Sequence, residues 1–188
     1  MSDAMHLDAD TRERLTTLVR ERIRDVPDFP QPGILFRDIT PVLADTRALV
    51  AALDLHVDRI ADLVGKVDTV VGIESRGFLF GMAVAARIGA GFVVVRKPGK
   101  LPARIVEVSY ALEYGTDRLQ IHADAIVPGQ RVLIVDDLLA TGGTASAARE
   151  LVTQLGGDTV AALFLVELAA LGGRARLGGL RVEAVLGY

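Results

Sequence analysis

Apolar residues recur along this chain in two rhythms, and the switch between them predicts where helices give way to strands. Leu15, Leu18, Val19 and Ile23 fall at helical spacing among charged residues, so Thr11 to Arg24 is predicted as an amphipathic helix. Residues 25–33, DVPDFPQPG, hold three prolines and are predicted as loop. Asp45 has the chemistry of a helix N-cap. A second helix is predicted from there to about Val64, with Leu49, Leu53, Val57, Ile60 and Val64 on one face. Then the period changes. Short unbroken apolar runs follow at 69–73 (TVVGI), 92–95 (FVVV), 132–135 (VLIV) and 161–166 (AALFLV), with helical stretches near Phe78–Ile88 and Thr144–Leu155 between them. Unbroken apolar strands are buried on both faces, and their alternation with helices is the mark of parallel βαβ units. The expected fold is α/β: an open, mainly parallel sheet with helices on both faces. With no internal repeat and no linker, residues 1–188 are expected to form a single domain.

In such a sheet, ligands bind beyond the carboxyl ends of the strands. Three strand exits are therefore of interest: Glu74–Gly77, Lys97–Pro102 and Asp136–Thr144. The last belongs to VLIVDDLLATGGT, in which a buried strand delivers Asp136 and Asp137 and a Thr-Gly-Gly-Thr turn opens a helix. A helix N-terminus offers free N–H groups and partial positive charge, so it suits a phosphate. Gly142 and Gly143 let successive N–H groups converge on one anion, and Thr141 and Thr144 add hydroxyl donors. No Lys follows these glycines, so this is not the loop of the nucleotide triphosphatases. The nearest spacing match to that loop, Gly72–Gly77, has Phe78 where the Lys should stand. Gly89-Ala90-Gly91 precedes a strand, whereas a dinucleotide fingerprint must follow one. Two acids beside a phosphate cradle would repel the ligand unless they accept hydrogen bonds from sugar hydroxyls and face bound Mg²⁺.

Arg76 could present its planar fork to phosphate oxygens, or pair with Glu74 at the surface. Arg96, Lys97 and Lys100 crowd three cations into five residues. Lys97 and Lys100 are the candidates to face a phosphorylated ligand, and Arg96 the candidate for a structural role. His6, His56 and His122 have neither metal nor triad spacing and are assigned no chemistry.

Composition narrows the field further. The chain is 51% hydrophobic but only 5% aromatic, without Trp, so its core must be aliphatic, as layered strands and helices require. The absence of Cys excludes disulfides, thiolate zinc sites and a Cys nucleophile. A net charge of −3 argues against a nucleic-acid surface. The polar start MSDAMHLDADTRER lacks an apolar signal region, and no apolar run approaches the ~20 residues that span a bilayer. A cytoplasmic enzyme with neither nucleic-acid nor membrane partners is expected.

The stretch Val-Asp-Asp-Leu-Leu-Ala-Thr-Gly-Gly-Thr at 135–144 resembles the phosphoribosyl-pyrophosphate motif of type I phosphoribosyltransferases, specifically their adenine-using form. The similarity runs from Pro27-Asp28-Phe29-Pro30 to Leu171-Gly172-Gly173. It takes in Pro32-Gly33-Ile34-Leu35-Phe36-Arg37-Asp38, Glu74-Ser75-Arg76-Gly77-Phe78, Arg96-Lys97-Pro98-Gly99-Lys100-Leu101-Pro102 and Leu112-Glu113-Tyr114-Gly115. It implies a pentosyl transfer of purine salvage, from phosphoribosyl pyrophosphate to adenine, giving AMP and pyrophosphate, with Mg²⁺ bound mainly through the pyrophosphate substrate. By the same resemblance, Ala140, Thr141, Gly142, Gly143 and Thr144 hold the 5′-phosphate, and Asp136 and Asp137 take the ribose hydroxyls. Arg76, Lys97, Lys100 and Tyr114 also bind this substrate, with the Glu74–Ser75 peptide cis. Residues 98–114 form a mobile hood with Gly99 and Gly115 as hinges, and Glu113 is its catalytic glutamate beside Arg76. Adenine stacks on Phe36, meets the backbone around Leu35 and Arg37, and is closed on its other face by Leu168. A homodimer is expected. Transfer to another purine base, or a regulator that senses phosphoribosyl pyrophosphate, are the other readings of the same motifs.

Overall fold

Two aspartates open the long helices of the N-terminal part. Asp8 Oδ1 accepts the Thr11 N–H at 2.8 Å and caps α1 (Ala9–Arg20). The computed structural model describes residues 6–111 and 116–188, in two units, one ending at Ala61 and one running from Asp62 to Tyr188.

In the first unit, α1 is shorter than the predicted helix. The chain turns after Arg20, with the Ile23 N–H on the Arg20 carbonyl, and enters β1 (Arg24–Pro27). This strand pairs antiparallel with β2 (Leu35–Asp38), Val26 facing Phe36. The proline-rich segment is thus loop only in its second half. Pro27 ends a strand of a two-stranded ribbon, where a missing N–H is tolerated. The connection between the strands contains a cis Phe29–Pro30 bond. A short helix, α2 (Thr40–Ala44), leads to α3 (Thr46–Arg59), capped by Asp45 through the Arg47 and Ala48 N–H groups as predicted. Helix α3 ends sooner than predicted, giving way to a 3₁₀ turn at Ala61–Leu63. Its buried face keeps Val57 and Ile60 of the predicted stripe and extends over the alanines. Ala48, Ala51, Ala52, Leu55 and Val57 are buried while Leu49 and Leu53 are only partly so. Helix α3 packs against both α1 and α2. Asp58, also buried, accepts from Arg12 Nε at 2.7 Å and from the Leu7 N–H at 2.8 Å. Burial pushes the His56 ring down to about pKa 4 despite its 2.6 Å contact with the Ala52 carbonyl, so it is neutral at physiological pH.

The second unit is built on a five-stranded sheet. Its strands and helices are β3 (Thr69–Ile73), α4 (Gly77–Ile88), β4 (Gly91–Val95), an antiparallel hairpin β5 (Ile105–Ala111) and β6 (Thr116–His122), β7 (Arg131–Leu139), α5 (Gly143–Gln154), β8 (Asp158–Glu167), α6 (Gly173–Arg176) and β9 (Val182–Gly187). The sheet order is β4-β3-β7-β8-β9, every neighbour parallel. All five residues of β3 are buried, as are Val132–Val135 and Ala161–Val166, which is why these runs read as continuous apolar stretches. The C-terminal tail supplies β9, a strand the apolar pattern left open. Helix α4 packs on β3, β4 and β7, and α5 on β7, β8 and the hairpin, around an aliphatic core that includes Val71, Ile134, Leu151 and Phe164. Strand β3 leads through α4 to one side, and β7 through α5 to the other. Neighbouring strand ends therefore diverge, leaving a crevice at the carboxyl edge. Among the described residues, no helix is long and apolar enough to cross a membrane.

Candidate active site

The crevice beyond β3 and β7 is a cleft of about 430 Å³. One wall is Glu74, Ser75, Arg76 and Lys97; the other runs from Asp136 to Ala145. The topology therefore brings together most of the residues singled out in the sequence: Arg76, Lys97, Asp136, Asp137, Ala140, Thr141, Gly142, Gly143 and Thr144.

Asp136 and Asp137 leave the core on consecutive positions of β7. The Asp137 N–H donates to Asp136 Oδ1 at 2.9 Å, and Arg76 Nε donates to Asp137 Oδ2 at 2.8 Å. Burial and the neighbouring Asp137 charge push the Asp136 carboxyl well above the usual carboxylate range. Burial also raises Asp137, against the pull of the Arg76 guanidinium. A carboxylate pair this poorly solvated attracts donors such as hydroxyls, or a cation.

The turn after β7 is shaped by close backbone contact. Gly142 caps α5 at φ 80°, a left-handed conformation that glycine adopts without strain. The Ser146 N–H returns to the Gly142 carbonyl at 2.9 Å and starts the helix. Behind the turn lies α6: a Cβ on Gly173 would fall 2.3 Å from the Ala140 carbonyl oxygen, and one on Gly142 would fall 2.5 Å from that of Gly173. The front of the turn keeps the open N–H groups of a helix N-terminus, a ready anion site.

Glu74 organises the opposite wall. It accepts from the Lys97 N–H at 2.9 Å, from Lys100 Nζ at 2.5 Å and from the Arg96 guanidinium at 3.3 Å. Burial works against its charge, yet these donors prevail and hold its carboxyl at about 2. The Glu74–Ser75 peptide is cis. Arg76 thus pairs with Asp137, while Glu74 gathers Arg96 and Lys100. The structural role foreseen for Arg96 fits this arrangement. Lys100 sits in the same clamp and does not line the cleft. Lys97 does line it, and its ammonium pairs with Asp117 and donates to the Tyr110 hydroxyl at 3.2 Å. Burial lowers the affinity of Lys97 for its proton, but Asp117 and Tyr110 together more than restore it.

Glu113 and Tyr114, together with Leu112 and Gly115, lie outside the described residues. Of the expected hood, 105–111 forms β5 and pairs with β6. Leu35, Phe36 and Arg37 lie on β2 in the first unit. Phe36 is half-buried in an edge-to-face contact with Phe29 at 5.1 Å, and Arg37 pairs with Asp25. Leu168 follows β8 in the second unit, its N–H on the Leu139 carbonyl at 2.9 Å. Among the described residues, no three His, Cys, Asp or Glu side chains cluster as a metal site. Sequence reasoning gave no part to Tyr110 or Asp117. A period-2 alternation of Val106, Val108 and Tyr110 would have signalled the hairpin that carries them.

A family model described as a phosphoribosyl transferase domain matches residues 42–175. An adenine phosphoribosyltransferase of Sorangium cellulosum is 60% identical over 171 residues, covering 90% of this chain and 84% of the relative. Another, of Acidothermus cellulolyticus, is 54% identical over 169 residues, with 90% and 94% covered. The crystal structure of adenine phosphoribosyltransferase from Thermoanaerobacter pseudethanolicus superposes with a TM-score of 0.88 at 49% identity, covering 92% of this chain and 99% of that one. The Saccharomyces cerevisiae enzyme, complexed with an imino-altritol bisphosphate and adenine, gives 0.87 at 38% identity, with 92% and 99% covered. On sequence and fold together, the chain belongs to the adenine phosphoribosyltransferase family.

Proposed function

We propose that this chain transfers the 5-phosphoribosyl group of phosphoribosyl pyrophosphate to adenine, giving AMP and pyrophosphate in purine salvage. The observation that carries the reading is the cleft itself: a carboxylate pair, a helix N-terminus suited to phosphate and two cations, Arg76 and Lys97, meet in one crevice. Residues 140–144 take the 5′-phosphate through backbone N–H groups and the Thr141 and Thr144 hydroxyls. Asp136 and Asp137 accept hydrogen bonds from the ribose hydroxyls. Arg76 and Lys97 face the pyrophosphate, and Lys100 and Tyr114 are assigned to the same substrate by family resemblance. As adenine N9 attacks C1′ and the C1′–O bond breaks, negative charge grows on the departing pyrophosphate, where fixed cations stabilise it most. Glu113 is assigned, again by resemblance, to orient or deprotonate the base. Glu113→Gln should lower kcat more than it raises KM, and the reverse pattern would make it a binding residue only.

Mg²⁺ fits the donor set in one way. Among the described residues the two adjacent carboxylates belong to no three-ligand cluster, but they suit an ion carried mainly by substrate oxygens and water. Bound there, the ion would neutralise charge on the leaving group. Asp136 and Asp137 would meet its hydration shell.

For adenine, family resemblance assigns stacking to Phe36, backbone contacts to Leu35–Arg37 and closure to Leu168. Among the described residues, strand β2 has a sheet partner along one edge, so its other edge can offer N–H and C=O groups to a base. A backbone carbonyl at the 6-position and an N–H at N1 match adenine and clash twice with a 6-oxopurine. Discrimination should be roughly 10³ or more. Assays of adenine, guanine, hypoxanthine and xanthine with phosphoribosyl pyrophosphate and Mg²⁺ test this. Comparable kcat/KM for any 6-oxopurine would overturn the adenine assignment. We also place the enzyme in the cytoplasm as a homodimer, which light scattering would report as twice the 20.0 kDa chain mass.

A further inference from the structure

The Tyr110 hydroxyl joins three parts of the second unit. It donates to Asp117 Oδ2 at 3.2 Å, and accepts from Lys97 Nζ at 3.2 Å and from Thr144 Oγ1 at 3.4 Å. A phenol has one proton and two lone pairs, so its hydrogen-bonding capacity is fully used. Lys97 is paired with Asp117 as well, and its ammonium lies 5.7 Å from the centre of the Tyr110 ring. Four elements thus converge: β5 through Tyr110, β6 through Asp117, the exit of β4 through Lys97 and the first turn of α5 through Thr144. Lys97 and Thr144 line the cleft, whereas Tyr110 and Asp117 hold them without lining it.

We propose that Asp117 and Tyr110 are positioning residues, which fix the Lys97 ammonium and tie the β5–β6 hairpin to the phosphate turn at Thr144. The inference rests on the assignment of Lys97 to the phosphates of the substrate. A lysine stem left alone spreads its charge over many rotamers. An ammonium has three donors, and Asp117 and Tyr110 take two, leaving one for an anion in the cleft. The carboxylate offsets the attraction of Lys97 for bound phosphate while holding it in place. Its contribution therefore falls on the step in which charge develops rather than on ground-state affinity.

The test is a double-mutant cycle on the full chain, read as kcat and as KM for phosphoribosyl pyrophosphate and for adenine. Asp117→Ala should lower kcat by about 10- to 100-fold, with both KM values within about threefold of wild type. In a Lys97→Met background the same substitution should change kcat by less than about threefold, because the residue it positions is gone. Tyr110→Phe keeps the ring and removes only the hydroxyl. It should show the same dependence on Lys97 and replaces Asp117→Ala should that variant fold poorly. Asp117→Glu should recover part of the loss. An Asp117→Ala enzyme with wild-type kcat, or an equal loss in both backgrounds, overturns the inference. Wild-type kinetics for Lys97→Met alone would instead remove the assignment of Lys97 beneath it.

Discussion

Arg76 donates from Nε to Asp137 Oδ2 at 2.8 Å, so a cation from the end of β3 meets one of two adjacent carboxylates on β7. Asp136 Oδ1 accepts the Asp137 N–H at 2.9 Å. Both carboxyls line the cleft, and burial raises the affinity of each for a proton, a condition that two ribose hydroxyls would relieve. Each hydrogen bond to a charged group contributes about 1.5–3 kcal/mol. Replacing both residues by Asn should lower kcat/KM by roughly 10²–10⁴ while the protein still folds. Steady-state kinetics beside circular dichroism check this, and activity within about threefold of wild type would sink the assignment.

The same burial has a signature in stability. Burial and the Asp137 charge raise the folded-state affinity of Asp136 for its proton well above that of the unfolded chain. A carboxyl raised in this way costs stability at pH values above its folded pKa, and the cost fades as pH falls toward the unfolded value of 3.8. Asp136→Asn removes the charge and should raise Tm at pH 8 by about 2–4 °C, equivalent to roughly 1 kcal/mol in a chain of this size. The gain should shrink toward pH 4. A variant that is less stable at pH 8 would show that Asp136 is better solvated than its surroundings indicate.

Legibility in the sequence followed the physics of burial. Strands β3, β7 and β8 were readable because both faces are covered and the apolar run is unbroken. The phosphate turn was readable because Gly142 and Gly143 follow two acids at a strand end. The hairpin β5–β6 was not read, because 105–110 is only partly buried and mixes Glu107 and Ser109 with Val106 and Val108. Strand β1 was hidden by Pro27, which a two-stranded ribbon tolerates at its end. The stripe of α3 was only partly read: Val57 and Ile60 are buried as expected, but Ala48 and Ala52 are covered more fully than the more hydrophobic Leu49 and Leu53. Pairings such as Arg76 with Asp137, or Lys97 with Asp117, join residues 61 and 20 positions apart and arise only from the topology.

Glu74 holds the wall opposite the carboxylates. Its carboxyl sits at about 2 because the donors of Lys100, Lys97 and Arg96 outweigh its burial. A depressed carboxyl contributes stability above its unfolded value of 4.5, and that contribution is lost as pH falls toward 2. Glu74→Gln should therefore cost about 1–2 kcal/mol at pH 7, after discounting the partly exposed Lys100. Its acid limb should also be flatter between pH 4.5 and 2 than that of the wild type. Urea unfolding across this range measures both. An unchanged midpoint at pH 7 would mean that the clamp is too solvated to matter.

The turn that receives the phosphate depends on a residue that never faces it. Gly173, at the start of α6, is buried against the back of the turn. A Cβ there would fall 2.3 Å from the Ala140 carbonyl oxygen and 2.9 Å from Leu139 Cδ1. The leucine could yield by changing rotamer, but the carbonyl belongs to the turn and cannot move alone. Gly173→Ala should therefore push residues 140–142 forward and misalign the N–H groups on which the phosphate rests. Misplacement on the order of 1 Å at such a site can cost about 10²-fold. We expect KM for phosphoribosyl pyrophosphate to rise at least tenfold while KM for adenine stays within about threefold. Gly187→Ala is the control, since a Cβ there meets nothing within 4 Å. It should leave both constants unchanged. If Gly173→Ala behaves like that control, the turn is not held from behind by α6, and its conformation must come from Gly142 and the first turn of α5 alone.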